Sequence, residues 1–413
     1  MNTISRGKKA VLGFQHLLAM FGATVLVPIL TGLDTSVALL SAGLGTLIFH
    51  YVTKRKVPVF LGSSFAFIGA LAMTLSQYGI GAVKGGVIGA GIVYVIMSLI
   101  IQIAGADKVR SFFPPIVTGP VIIVIGLRLS PVALSMAGYS YDAATQTGSV
   151  DTTAILIASI VILTMIAVSI FAKGFFKLVP ILVSVIVGYI AASFMGAVDF
   201  ESITQAGWFG MSQGSWQTIT TMPEFNMAGI TAIAPIAMVI FIEHFGDIVT
   251  NGSVVGKDFF KDPGVHRTML GDGLATITAG ILGGPANTTY SENTGVLAVT
   301  KVYDPSVLRL AAIFAVILSM IGKFGALINS IPTAVMGGVS IILFGMIASV
   351  GVRTMVEAQL DFAHSRNLII GSLILVTGIA IDNIFVWGTL SISGLAIAAF
   401  LGIVLNKVLP SDI

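Results

Sequence analysis

Apolar runs of helix length alternate with short polar links along almost the whole chain. Runs this long and continuous predict membrane spans rather than the half-buried helices of a soluble protein. They fall at 12–30, 36–52, 57–75, 85–104, 116–133, 153–171 and 178–195, then at 227–249, 269–282, 288–299, 306–328, 334–350, 368–381 and 390–408. That is fourteen segments in two sets of seven, with no stretch left over for a soluble domain. The third and tenth are abnormal. Pro58, Gly62, Ser63 and Ser64 interrupt one; Gly283, Gly284, Pro285, Asn287, Ser291 and Gly295 interrupt the other. Broken backbone at membrane depth is tolerated only where it is buried in protein or lines a cavity, because lipid offers its N–H and C=O groups no partner. Paired discontinuous segments at matching places in two halves mark the binding site of a transporter.

Seven is odd, so two related halves must lie in the membrane in opposite orientations. Polar residues supply a check on such a repeat. Gln15-His16 in the first segment matches Glu243-His244 in the eighth (243 − 15 = 228), and Ser64 matches Glu292 at the same spacing (292 − 64 = 228).

Composition agrees with the pattern. Charged residues make up 9% against 56% hydrophobic, with a mean hydropathy of +1.01, where a soluble domain carries about 25% charge. The absence of cysteine leaves no disulfide or thiolate chemistry. The placement of charge says more than its net value of +3. With the amino terminus inside, 18 of the 21 lysines and arginines fall in inside links or at the inner ends of spans, and the exceptions are Lys84, Arg128 and Lys323. Such a bias supports the span count and predicts both termini in the cytoplasm of a multi-pass cell-membrane protein. Arg6, Lys8 and Lys9 before an apolar run could begin a secretory leader, but Gln15-His16 interrupts the run and no convincing cleavage site follows, so a retained span is expected. The outside links 137–151 and 196–224 hold no lysine or arginine, and Trp208 and Trp216 in the second suit short amphipathic elements at headgroup level.

The candidate chemistry lies in carboxyls placed where water is scarce. Glu243 interrupts the run 232–249, with His244 beside it and Asp247 one turn on; Glu292 lies in the broken tenth segment. An ionised carboxylate at mid-bilayer depth costs about 2.5–3.5 kcal/mol on insertion scales, which marks both as functional candidates. A small planar solute with amide-like edges needs acceptors and donors together. Glu243 and Glu292 can accept from N–H groups, the main chain at Phe65 and Ser291 can donate, and Phe65, Phe67, Tyr290 and Phe344 can cover ring faces. The half-helix starting near Glu292 aims its positive end at the same place. Burial disfavours the charged form of carboxyls in general, which suits one glutamate to carrying a proton.

Phe14-Gln15-His16, Met20, Gly22 and Thr24, the stretch Gly62-Ser63-Ser64-Phe65-Ala66-Phe67, Glu243-His244, and Glu292-Asn293 with Gly295 and Thr300-Lys301 closely resemble the nucleobase–ascorbate transporter family. The resemblance runs from about residue 12 to 409, and residues 61–67 and 262–267 are most similar to the family's bacterial uracil permease branch. It implies an all-α polytopic fold of fourteen transmembrane segments in two inverted seven-segment repeats, with core and gate domains and short strands in the third and tenth segments. On that division 1–136 is the first core part with the start of the gate, 137–226 gate, 227–328 core and 329–413 gate. It further implies proton-coupled uptake of a nucleobase, uracil first and xanthine or another purine as the alternative. Substrate contacts would be Glu243, Glu292, Phe65 and Ser291, with Ser64 and Tyr290 nearby; proton coupling would involve Glu243, His244, Asp247 or Asp272. Gln15, His16, Asn293, Thr300 and Phe344 would be supporting motif positions. The proton is the only cofactor expected, and the partners are the base, membrane lipid and a second copy of the chain, with no nucleic acid.

Two positions depart from the pattern: Asp247 stands where some uracil carriers have histidine, and Phe344 where they have tyrosine. Plainer roles also fit some residues. Glu243 and Asp247, four apart on one helix face, can simply accept hydrogen bonds; His16 and His244 read first as interhelical hydrogen-bond partners, and Asp272 as a buried cap before a relay member. Arg128 can snorkel to headgroups, and Gly337-Gly338 suits close helix packing. An intramembrane metalloenzyme would want His-Glu-x-x-His, which is absent. An anion exchanger or channel on the same architecture would favour neutral residues over the glutamates, and a purely structural role leaves the paired broken segments without a purpose.

Overall fold

Capping chemistry sets where the membrane helices begin and end. The first segment is Arg6–Thr31, opened by Ser5, whose hydroxyl accepts from the Lys8 N–H, and closed by Gly32 at φ +78°. The second, Thr35–Val52, opens on Asp34, whose carboxylate accepts from the Val37 N–H at 2.9 Å. The structure, a computed structural model, describes residues 5–142, 147–381, 383–386 and 390–410. The chain ends 1–4 and 411–413, expected in the cytoplasm, and the middle of the 137–151 link lie outside the described residues.

The remaining segments follow in order. The fifth to seventh are Pro115–Arg128, Thr152–Phe171 and Pro180–Phe194; the eighth and ninth are Met227–Val255 and Val265–Leu282. The eleventh is Pro305–Ser319 with Gly322–Asn329 bent 85° from it, and the last three are Thr333–Glu357, Ser365–Ala380 and Gly394–Val408. Among the described residues seven helices are long and apolar enough to cross a membrane unaided, or eight with the bent pair as one, and three apolar helices are shorter. The chain is a multi-pass membrane protein.

The structure corrects the sequence reading at two links. The link between the third and fourth segments is far shorter than 76–84: within Ile68–Ala104 their two helices meet at a kink at Gly79, at φ 80° and ψ 179°, a conformation open to glycine and to few other residues. The stretch after the thirteenth segment forms a backbone hairpin, Asn383–Val386 with Leu390–Ser393, so the last helix starts at Gly394 rather than 390. A second hairpin, Tyr139–Asp142 with Thr147–Val150, occupies the 137–151 link.

The third and tenth segments meet through short strands, as expected. Leu61–Ser63 pairs antiparallel with Asn287–Thr289 in the register Leu61↔Thr289, Gly62↔Thr288, Ser63↔Asn287. Side chains and flanking backbone complete the pairing. Thr46 Oγ1 accepts from the Leu61 N–H at 2.9 Å, Ala286 O from the Ser64 N–H at 2.9 Å, and Phe60 O from the Tyr290 N–H at 3.0 Å. A short helical turn, Phe65–Phe67, leaves one strand and the helix Ser291–Thr300 leaves the other. The equivalent positions are therefore 226 apart (287 − 61 = 226; 291 − 65 = 226), two fewer than the polar residues indicate. At this crossing the counterpart of Glu292 is Ala66, and Ser64 matches Tyr290, each the residue immediately before a helical start.

Around the crossing, the ninth helix packs against the second and against Ile68–Ala104, and the first and second pack against the eleventh. The twelfth helix packs against the fifth and sixth, and the thirteenth against the fifth and fourteenth. Gly62 is a steric requirement: a Cβ there would run into the Tyr290 ring and the Thr24 hydroxyl. Gly62→Ala is expected to cost about 1–3 kcal/mol through overpacking and to lower the melting temperature of the purified protein. Gly69→Ala, where a Cβ meets nothing within 4 Å, should leave it unchanged.

Candidate functional site

Two helical starts face a cavity of about 630 Å³ beside the strand crossing. Neither the Phe65 turn nor the Ser291 helix has a side-chain cap on its first turn, so both bring backbone N–H groups and a positive helix end to this place. Phe65, Tyr290, Ser291 and Glu292 line the cavity on that side, joined by Glu243 and Asp247 from the eighth segment. Thr118 and Ile122 of the fifth helix and Ile347 and Val350 of the twelfth form the opposite wall, and the cavity runs on to Arg353 and Glu357.

The carboxyls differ in their surroundings. Glu243 and Ser291 are open to the cavity, and Asp247 and Glu292 partly so. Glu292 lies in the first turn of its helix and accepts from its own backbone N–H. Glu243 has no hydrogen-bond or ion-pair partner among the described residues. Asp247 accepts from Thr289 Oγ1 at 2.7 Å, which ties the eighth segment to the strand of the tenth. At the mouth, the Arg353 Nε and Glu357 carboxylate form an exposed ion pair at 3.7 Å.

The other sequence candidates lie outside this ring of contacts. His244 is fully buried, with Nδ1 2.8 Å from Asp272 Oδ2 and Nε2 2.8 Å from Thr268 Oγ1. It joins the eighth segment to the ninth, and Asp272 belongs to that pair rather than to the cavity wall. His16 is buried too: Asn293 Nδ2 donates to its backbone carbonyl at 2.9 Å and lies 3.1 Å from Nδ1, joining the tenth segment to the first. Ser64 is buried, and its part here is backbone. The Tyr290 hydroxyl is committed to Ser63 O at 2.9 Å, leaving its ring for the cavity. Phe67 is buried in the apolar core instead of covering a ring face, and Phe344 stands behind Phe65, edge-on at 6.5 Å and 79°. Gln15 lies in the first helix, and Thr300 donates back to Val296 O at the far end of its own helix.

Sequence reasoning missed two supporting residues. Thr289 is the donor to Asp247, and Asn251 Nδ2 donates at 3.0 Å to Pro58 O and at 3.0 Å to Thr294 Oγ1, joining the eighth segment to both broken ones. Asn251 lies two residues past the apolar run that revealed Glu243 and was open to the same reasoning. Thr289→Val should lower the melting temperature by the equivalent of roughly 1 kcal/mol, a usual scale for a side-chain hydrogen bond in a membrane. Thr289→Ser, which keeps the hydroxyl, should restore most of it.

Comparison with known proteins places the chain in a family. The model of the permease family, Xan_ur_permease, matches residues 7–386. The probable uracil permease of Haemophilus influenzae is 42% identical over 412 residues, which cover 98% of this chain and 95% of that one. The uracil permease of Bacillus subtilis is 42% identical over 397 residues, 96% of this chain and 91% of that one. Among solved structures, murine Solute Carrier 26 family member A9, an anion transporter in the inward-facing state, superposes with a TM-score of 0.70 over 98% of this chain and 68% of that one, at 9% identity. At that identity the likeness is one of fold.

Proposed function

The chain belongs to the permease family, and from that premise we propose that it imports a nucleobase, uracil before xanthine or other purines, by proton symport. It is a membrane transporter and not an enzyme. The observation that carries the reading is the meeting of two carboxylates, Glu243 and Glu292, with two uncapped helical starts at one cavity. Uracil presents N–H donors and C=O acceptors around a flat ring. Carboxylates can take the former, the first-turn N–H groups at Phe65 and Ser291 the latter, and the Phe65 and Tyr290 rings can cover a face. The named uracil permeases related to this chain supply the choice of base.

In this reading Glu292 is the fixed contact, its charge supported by the helix start. Glu243 lacks such support, so substrate and proton are the groups that can satisfy it; it serves as proton carrier. Asp247 and the His244–Asp272 pair stand next to it on the eighth and ninth segments. Segments one to four and eight to eleven act as a core that moves against a gate made of the other six, supported by the way the helices pack. The lysine and arginine bias puts both chain ends inside the cell, and the gate carries a homodimer contact.

Glu243→Gln and Glu292→Gln keep side-chain volume and remove the charge. Each is expected to abolish uracil accumulation in proteoliposomes under an imposed inward proton gradient while the melting temperature stays near that of the parent. Full accumulation by both variants would defeat the assignment. With the parent protein, uptake should collapse when the pH gradient is dissipated, and unlabelled uracil should compete better than xanthine.

A further inference from the structure

Two of the three basic residues that lie off the basic face do the same job. Residues 196–226, between the seventh and eighth segments, contain two short helices, Glu201–Gln205 and Gln213–Thr220. The last carbonyls of a helix have no partner within it and carry the negative end of its dipole. At the first helix, Lys323 Nζ donates to Ile203 O at 3.0 Å and Thr204 O at 3.2 Å, with the ammonium 5.5 Å from the centre of the Trp208 ring. At the second, Lys84 Nζ donates to Thr218 O at 3.0 Å, Ile219 O at 3.0 Å and Thr221 O at 2.5 Å. Lys84 is only 1% exposed, so these carbonyls compensate a buried cation with three N–H groups.

Other bonds fasten the same stretch to the same body. Ser215 Oγ donates to Asp34 Oδ2 at 2.7 Å, the Gly210 N–H to Met320 O at 2.8 Å, and the Glu224 N–H to Gly81 O at 2.8 Å. Asp34, Gly81, Lys84, Met320 and Lys323 all precede the fifth segment or belong to the eleventh. Every one of these ties therefore runs to the core. Where the stretch leaves the seventh segment stands Gly196 at φ +71°, a natural pivot.

Beneath the stretch is a second cavity, of about 700 Å³. Ser212 and Ser215 roof it, Gly325 and Asn329 of the eleventh segment form one side, and Pro332 and Thr333 at the start of the twelfth form the other. No lysine or arginine lines it. One side thus belongs to the core and the other to the gate, at the end of the molecule remote from Arg353 and Glu357.

We propose that this cavity is the outer entrance vestibule for the nucleobase, roofed by a lid, residues 200–226, that lysine latches fix to the core so that it travels with it. The inference rests on the import reading above. The entrance then opens along the seam between lid and twelfth helix, and an uncharged ring meets hydroxyl and amide groups and the single carboxylate of Asp199 before it reaches Glu243 and Glu292.

The chain has no cysteine, so introduced thiols are unique reporters. Thr333→Cys, at an exposed position on the gate side, is treated in intact cells with a membrane-impermeant maleimide. The expected result is labelling from outside, a more than tenfold fall in uracil uptake, and less than a twofold change in uracil binding to the labelled, purified protein. Full uptake after labelling, or failure to label from outside, overturns the vestibule. Lack of uracil binding by the parent overturns the import reading instead, so the two failures are distinct. For the lid, oxidation of the pair Asp34→Cys/Ser215→Cys should leave uptake within twofold of the reduced form; a block reversed by reductant overturns a core-borne lid. Independently, Lys84→Met or Lys323→Met should raise protease cutting within 200–226 from outside by more than tenfold, and unchanged cutting overturns the latches.

Discussion

The pairing of Leu61–Ser63 with Asn287–Thr289 is the constraint from which the rest of the architecture follows. Backbone that leaves the helical form inside a bilayer has no water to turn to, and a three-residue strand cannot satisfy itself. Each broken segment is completed by the other, with Thr46, Thr276 and the flanking residues taking up what the strands leave over. Two halves of the chain are thereby locked together at their weakest points. The same lock aims the helical starts at Phe65 and Ser291 into one cavity, and the N–H groups of these two residues are left for a solute because the strands, and not side-chain caps, hold the ends in place.

Much of this was legible in the sequence, for a physical reason. A bilayer punishes glycine, proline, hydroxyl and carboxyl groups so heavily that their survival in an apolar run is informative by itself. Segments, broken pair and glutamates could all be read that way. What could not be read is register. Matching Ser64 to Glu292 gave a repeat of 228, whereas the strands fix 226, because hydrogen bonding and not side-chain polarity sets the alignment of a crossing. Nor could periodicity show that a kink at Gly79 serves as the whole link, or that the apolar residues after Leu390 begin in a hairpin; both depend on backbone conformations that hydropathy does not see.

Polar residues that looked alike in sequence separate once placed. Glu243 and His244 are neighbours in the chain but face different worlds, one the cavity and the other a buried contact with Asp272 and Thr268. A helix turns about 100° per residue, so adjacent side chains cannot share a task as easily as those four apart. Glu243 and Asp247, at that spacing, do share a face. The Thr289 hydroxyl donates to Asp247 and so ties that face to the strand of the tenth segment, whereas Glu243 is left to the cavity.

On the proposed division, motion between core and gate needs a surface that can slip, and the bonding pattern favours one place for it. The strand crossing, the His16–Asn293 contact, the His244–Asp272 pair and the bonds of Asn251 all join segments of the core to one another. Breaking any of them to move a substrate would strand polar groups in an apolar medium. Phe65 meets Phe344 of the twelfth helix through ring edges alone. Dispersion contacts of this kind can be exchanged for similar ones a few ångströms away at small cost, whereas hydrogen bonds in lipid cannot. Polar bonding therefore favours these segments moving as one body in the proposed cycle, with the wall opposite Glu243 and Glu292 as the face along which they would slide.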